Sequence, residues 1–156
     1  MCQKTKQLLS FILRDGPRDV TSLLKLSYLI DLAAVRNLGN KISEFKYIRW
    51  NFGPFDRTIY KNLDELHADL IISTESQYNG SGSETVLYSL VNPESINCDL
   101  LSDNEKNLIE EMLSKLRGYG AKMLTDIAYQ TKPMTSIGAT LGGTEHLSEV
   151  LNLNAE

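Results

Sequence analysis

The chain has 156 residues, a net charge of −4, 42% hydrophobic and 23% charged residues, which is enough for one core and too balanced for a disordered or collagen-like chain. No apolar run approaches the ~20 residues needed to cross a bilayer, and the lysines ahead of the short N-terminal apolar stretch are followed by no small-residue cleavage site, so that stretch reads as a helix rather than a leader. The charge is uneven: residues 1–61 hold 11 Lys/Arg and 5 Asp/Glu, whereas residues 62–156 hold 5 and 15. This pattern suits either solvated surface or separate faces for acidic and basic partners.

Leu8, Leu9, Ile12 and Leu13 fall at helical spacing, and Gly16-Pro17 ends that first helix. A second helix opens at Asp19 or Thr21, carries Leu23, Leu26, Ile30 and Ala33 on one face widened by Leu24 and Leu29, and stops at Gly39-Asn40. So broad a stripe predicts a central, buried helix. The aromatic, β-branched stretch around 46–50 predicts a short strand. Gly53-Pro54 then reads as the start of a third helix, with Pro54 in its first turn and Phe55, Ile59, Leu63 and Leu66 on its inner face.

Residues 70–74 and 84–91 predict two strands of a hairpin with a long polar loop, ESQYNGSGS. Ser102 and Glu105 form a capping box ahead of a helix through Leu108, Ile109, Met112 and Leu116. A further helix, AKMLTDIAYQT, ends before Pro133, and Thr144 to Leu151 carries the pattern of a short terminal helix. The expected fold class is α+β, one domain over 1–156, with a mostly helical core and a small antiparallel three-stranded sheet, winged-helix-like.

Chemistry is sparse. His67, His146, Cys2 and Cys98 show no metal-ligand spacing, and two distant cysteines read as reduced, cytoplasmic thiols. No nucleophile elbow is present, and Gly138 to Gly143 lacks the Lys-Ser/Thr ending of a phosphate loop. The expectation is therefore a chain that is not an enzyme, with no catalytic residues, metal, cofactor, small-molecule substrate or membrane contact. Arg49, Arg57 and Lys61 lie beside Trp50, Phe52 and Tyr60, a composition that can grip a nucleic-acid backbone. Against this, the exposed face of the third helix carries Asp56, Asp64 and Glu65 with Arg57 and Lys61, and those carboxylates repel a duplex.

Residues 23–66 carry Lys25, Leu26 and Tyr28 on one helix, then Gly39, an aromatic strand, the Phe52-Gly53-Pro54 turn and an amphipathic segment with Tyr60. This stretch resembles the Panacea domain of SocA-like antitoxins, a phage-associated family. The resemblance continues more weakly over about 5–135, where Pro133 is kept but Tyr129 and Met134 stand in the family's His and Trp positions. Residues from about 138 to 156 have no counterpart.

The resemblance implies an antitoxin that neutralises a partner toxin by direct protein binding, some relatives acting as adaptors that deliver the toxin to a protease. Interface hot spots favour aromatics and Arg, so the candidate partner-binding residues are Tyr28, Arg49, Trp50, Phe52, Arg57 and Tyr60. Lys25, Gly39, Gly53, Pro54 and Pro133 are the motif's structural residues. The alternative is a winged-helix-like DNA-binding regulator, autoregulatory or phage-encoded.

Overall fold

A computed structural model describes residues 3–155. Cys2 lies outside the described residues. The chain begins with α1 (Gln3–Leu13) and α2 (Val20–Leu38). Asp19 caps α2 by accepting the Ser22 amide at 2.8 Å, which satisfies one of the helix's open donors. Gly39, at φ 87°, closes it through a bond from its amide to the Val35 carbonyl, the left-handed position that glycine fills without strain. Leu23, Leu26 and Ile30 are fully buried, and α2 lies at the centre, against α1 and two of the helices that follow the second hairpin.

The expected single three-stranded sheet is not formed, and the winged-helix-like arrangement goes with it. The chain is α+β, but its strands make two separate antiparallel hairpins. The first joins β1 (Ile48–Trp50) to β2 (Gly53–Phe55) through Asn51 and Phe52. Gly53-Pro54 therefore belongs to a strand rather than to a helix start, Pro54 sitting opposite Arg49. The following helix, α3 (Thr58–Ala68), begins later because the Asp56 carboxylate takes both the amide and the hydroxyl of Thr58 at 2.8 Å. The second hairpin pairs β3 (Ile72–Tyr78) with β4 (Glu84–Leu90). β3 starts two residues later than expected and runs four residues further, so part of the expected loop is strand, while β4 matches 84–91 to within one residue; Asn79 organises the remaining loop by accepting from the Ser81 and Ser83 amides at 3.0 Å.

α3 separates the hairpins along the chain, and each has one of its two edges taken by a segment other than a strand. Arg18 exchanges two backbone bonds with Tyr88 on β4, at 3.0 and 2.8 Å. The tail does the same for β1: Arg49 donates to Glu149 at 2.8 Å, Ser148 donates to Arg49 at 2.7 Å, and Leu151 donates to Tyr47 at 3.0 Å. These bonds also explain why 144–151 is not the short helix its periodicity suggests. The backbone groups a helix would use internally are spent on β1, and His146 and Ser148 adopt positive φ.

After a short 3₁₀ turn (Pro93–Ser95), α4 (Asp103–Lys115) opens with the expected capping box, the Glu105 amide on Ser102 at 3.1 Å and the Ser102 amide on Glu105 at 2.9 Å. Lys4 reaches the same carboxylate at 2.7 Å and ties α1 to α4. The helices α5 (Ala121–Tyr129) and α6 (Lys132–Thr135) follow, with Pro133 buried in the first turn of α6. Among the described residues no helix is long and apolar enough to cross a membrane.

Candidate partner-binding surface

The motif residues converge where α2, the β1–β2 hairpin and α5 meet. Asp31, on α2, is fully buried. Its Oδ1 accepts the Ile42 and Ser43 amides at 2.8 and 3.0 Å, and its Oδ2 accepts the Ser43 and Tyr47 hydroxyls at 2.5 and 2.6 Å. One carboxylate thus fixes the connection from α2 into β1. Burial, reinforced by this carboxylate, holds the Tyr47 phenol well above its ordinary range. Tyr28 sits edge-on to Tyr47 with centroids 5.2 Å apart. The Tyr28 hydroxyl meets Thr131 Oγ1 at 2.6 Å, and Thr131 in turn donates to the Ala128 carbonyl, so Tyr28 is the donor. Burial raises its phenol to about 12.

Arg49 points inwards from β1 and is fully buried. Its Nη2 donates to the carbonyls of Thr140 and Gly143 at 3.0 and 2.9 Å, and its Nη1 to the Trp50 carbonyl. The guanidinium carbon lies 5.4 Å from the centroid of the Tyr129 ring, a cation–π contact. Tyr129 also packs against Gly53. A Cβ on Gly53 would stand 3.4 Å from the Tyr129 ring and 3.6 Å from Lys25 Cε, and the residue has φ 101°, so only glycine serves here.

Lys25 runs past Gly53, and its Nζ donates to the Pro54 carbonyl at 2.9 Å. It is 3% exposed, and burial pushes its ammonium from 10.5 down to about 8. The unfolded chain holds this proton to the ordinary value, while the folded chain releases it near 8, so stability rises with pH between those values. The unfolding free energy of the natural chain minus that of Lys25→Met is expected to climb by about 1–2 kcal/mol from pH 7.5 to 10, read from urea unfolding at each pH. Taking the difference removes the buried tyrosines, which act in the opposite sense at high pH.

The outward side of the same hairpin is apolar. Trp50, Phe52 and Tyr60 are 36%, 69% and 47% exposed, and Phe55 links Trp50 to Tyr60, their centroids lying 6.4 and 6.5 Å from its own. Arg57 is exposed beside them. Trp50, Phe52, Phe55 and Tyr60 wall a groove of about 260 Å³ that Lys25 also lines.

Of the six partner-binding candidates, the structure thus brings Trp50, Phe52, Arg57 and Tyr60 to one surface and places Tyr28 and Arg49 inside. Gly39 is exposed at the end of α2, while Gly53, Pro54, Pro133 and Met134 are buried. The sequence pattern missed Asp31, whose signal was a carboxylate set inside an apolar stripe. Elsewhere, His67 is exposed, His146 pairs with Glu149 at 2.8 Å, and burial raises the half-buried Cys98 thiol. Among the described residues no three His, Cys, Asp or Glu side chains are grouped to hold a metal.

Residues 23–133 match the family model for the antitoxin SocA-like, Panacea domain. That span includes the aromatic hairpin, Asp31, Lys25 and Tyr129, and stops short of the tail that Arg49 holds. No curated protein and no solved structure matches the chain.

Proposed function

We propose that this chain, which belongs to the antitoxin SocA-like, Panacea domain family, neutralises a protein toxin by covering the toxin's working surface with its β1–β2 hairpin and the start of α3. Family membership supplies the class of partner. The observation that carries the choice of surface is the exposure of Trp50, Phe52 and Tyr60 around one groove inside the matched segment, Trp50 and Tyr60 being joined through Phe55. Large aromatics set on a rigid hairpin supply contact area at little entropic cost, and such residues anchor protein interfaces. Arg57 beside them adds a fork of donors for a rim contact. The role is binding, not catalysis.

The reading expects a neighbouring gene to encode a toxin, and co-expression with that gene's product tests it. The natural chain restores growth. Trp50→Ala and Phe52→Ala each weaken toxin binding about tenfold or more, and the two together abolish rescue while circular dichroism stays native. Full rescue by the double variant would place the interface elsewhere.

A further inference from the structure

Lys25 is more than a packed motif residue. Its ammonium is buried, yet it lines the groove walled by Trp50, Phe52, Phe55 and Tyr60. The Pro54 carbonyl, at 2.9 Å, is the only acceptor it reaches among the described residues, and burial lowers its proton affinity. An ammonium has three donors. Taking it out of water with one of them used and no counter-charge is costly, and a methionine at this position would fill the same space without that cost.

From this geometry we infer that the groove is a carboxylate-accepting site, in which a glutamate side chain of the bound toxin meets the Lys25 ammonium. The walls select the occupant. A carboxylate carried on methylenes lays its stem against the aromatic faces and brings one charge to the one ammonium, whereas a phosphate would bring about two charges to a lining whose other non-aromatic polar side chains are the uncharged Thr21 and Asn51. The pairing supplies the missing counter-charge, and it forms in a water-poor groove where a charged hydrogen bond is stronger than on open surface. Beside Tyr60 the exposed Arg57 and Lys61 attract an acidic surface while Asp56 and Asp64 oppose it, so the choice of a carboxylate rests on the Lys25 ammonium and not on the charge around the groove. The inference rests on the hairpin being the toxin-binding surface and adds what the toxin must present there.

The test needs no toxin, so its failure and that of the antitoxin reading are separable. The full chain is titrated with N-acetyl-glutamate N-methylamide, which carries only a side-chain carboxylate, with the matched glutamine compound, and with N-acetyl-leucine, which carries only a terminal carboxylate. The Lys25 CεH and Trp50 indole resonances are followed by NMR. The glutamate compound is expected to shift both resonances saturably and to bind at least tenfold more tightly than the glutamine compound, with Lys25→Met bringing that ratio to one. Equal binding of the glutamate and glutamine compounds, a ratio that survives Lys25→Met, or tighter binding of N-acetyl-leucine would overturn the inference. The ratio in the natural chain decides the matter even where the variant does not fold.

Discussion

Replacing Asp31 with Ala is expected to lower the unfolding free energy by about 3–5 kcal/mol, a large share of the roughly 5–15 kcal/mol that holds an ordinary domain folded. The size follows from the number of groups that depend on one side chain. Asp31 accepts two backbone amides and two hydroxyls, those of Ile42, Ser43 and Tyr47, in a site with no exposure. Alanine leaves four donors facing a cavity, and a buried donor without a partner loses its hydration and regains nothing. Asp31→Asn is the informative control. Its carbonyl oxygen still accepts both amides, and its NH₂ obliges the two hydroxyls to turn and accept, so the loss falls to about 1–2 kcal/mol. Urea unfolding of both variants measures this. Tyr47→Phe alone removes one bond, and its effect should shrink in the Asp31→Ala background, since contacting residues are coupled. A loss in Asp31→Ala no larger than in Asp31→Asn would mean that the carboxylate does not hold the α2–β1 connection.

The same residue shows where local reading ends. The apolar stripe of α2, its Asp19 cap and its Gly39 stop are all local signals, and the structure has each of them. Asp31 sits in that stripe because its partners arrive 11 to 16 residues later, beyond the reach of helical spacing. Gly53-Pro54 is ambiguous for a different reason. Proline fixes φ at a value that serves both a helix start and a strand next to an edge. The choice was made by Asp56, which caps Thr58, and by the two-residue turn at Asn51 and Phe52. The tail has helical periodicity, but β1 offers its backbone better partners.

On the candidate surface the aromatic residue types were legible and their direction was not. Strand alternation puts Arg49 and Trp50 on opposite faces. Nothing nearby says that the charged one turns inwards, because its acceptors, the carbonyls of Thr140 and Gly143, stand over 90 positions away. The general lesson is that pairing partners distant in sequence decide which of two adjacent side chains becomes surface.

Arg49→Met is accordingly expected to cost about 2–4 kcal/mol and to free the tail. The methionine fills much of the volume against Tyr129 but donates to nothing, leaving the carbonyls of Trp50, Thr140 and Gly143 without their shared donor. Thr140 is exposed and Gly143 half-buried, so water recovers part of the loss, which places this variant below Asp31→Ala. Arg49→Lys should recover little, since one ammonium cannot span carbonyls that a planar guanidinium reaches from two nitrogens. Hydrogen exchange is the direct measurement. The amides of Ser148 and Leu151, which pair with Arg49 and Tyr47, should exchange much faster in Arg49→Met, and limited proteolysis should cut within 138–150. Unchanged protection there would show that the backbone bonds and buried Leu151 hold the tail unaided. Because Arg49 also grips the carbonyl of Trp50, freeing the tail loosens the strand that carries Trp50. Arg49→Met should therefore lose tail order and toxin binding together, whereas Trp50→Ala should lose binding with the tail still docked.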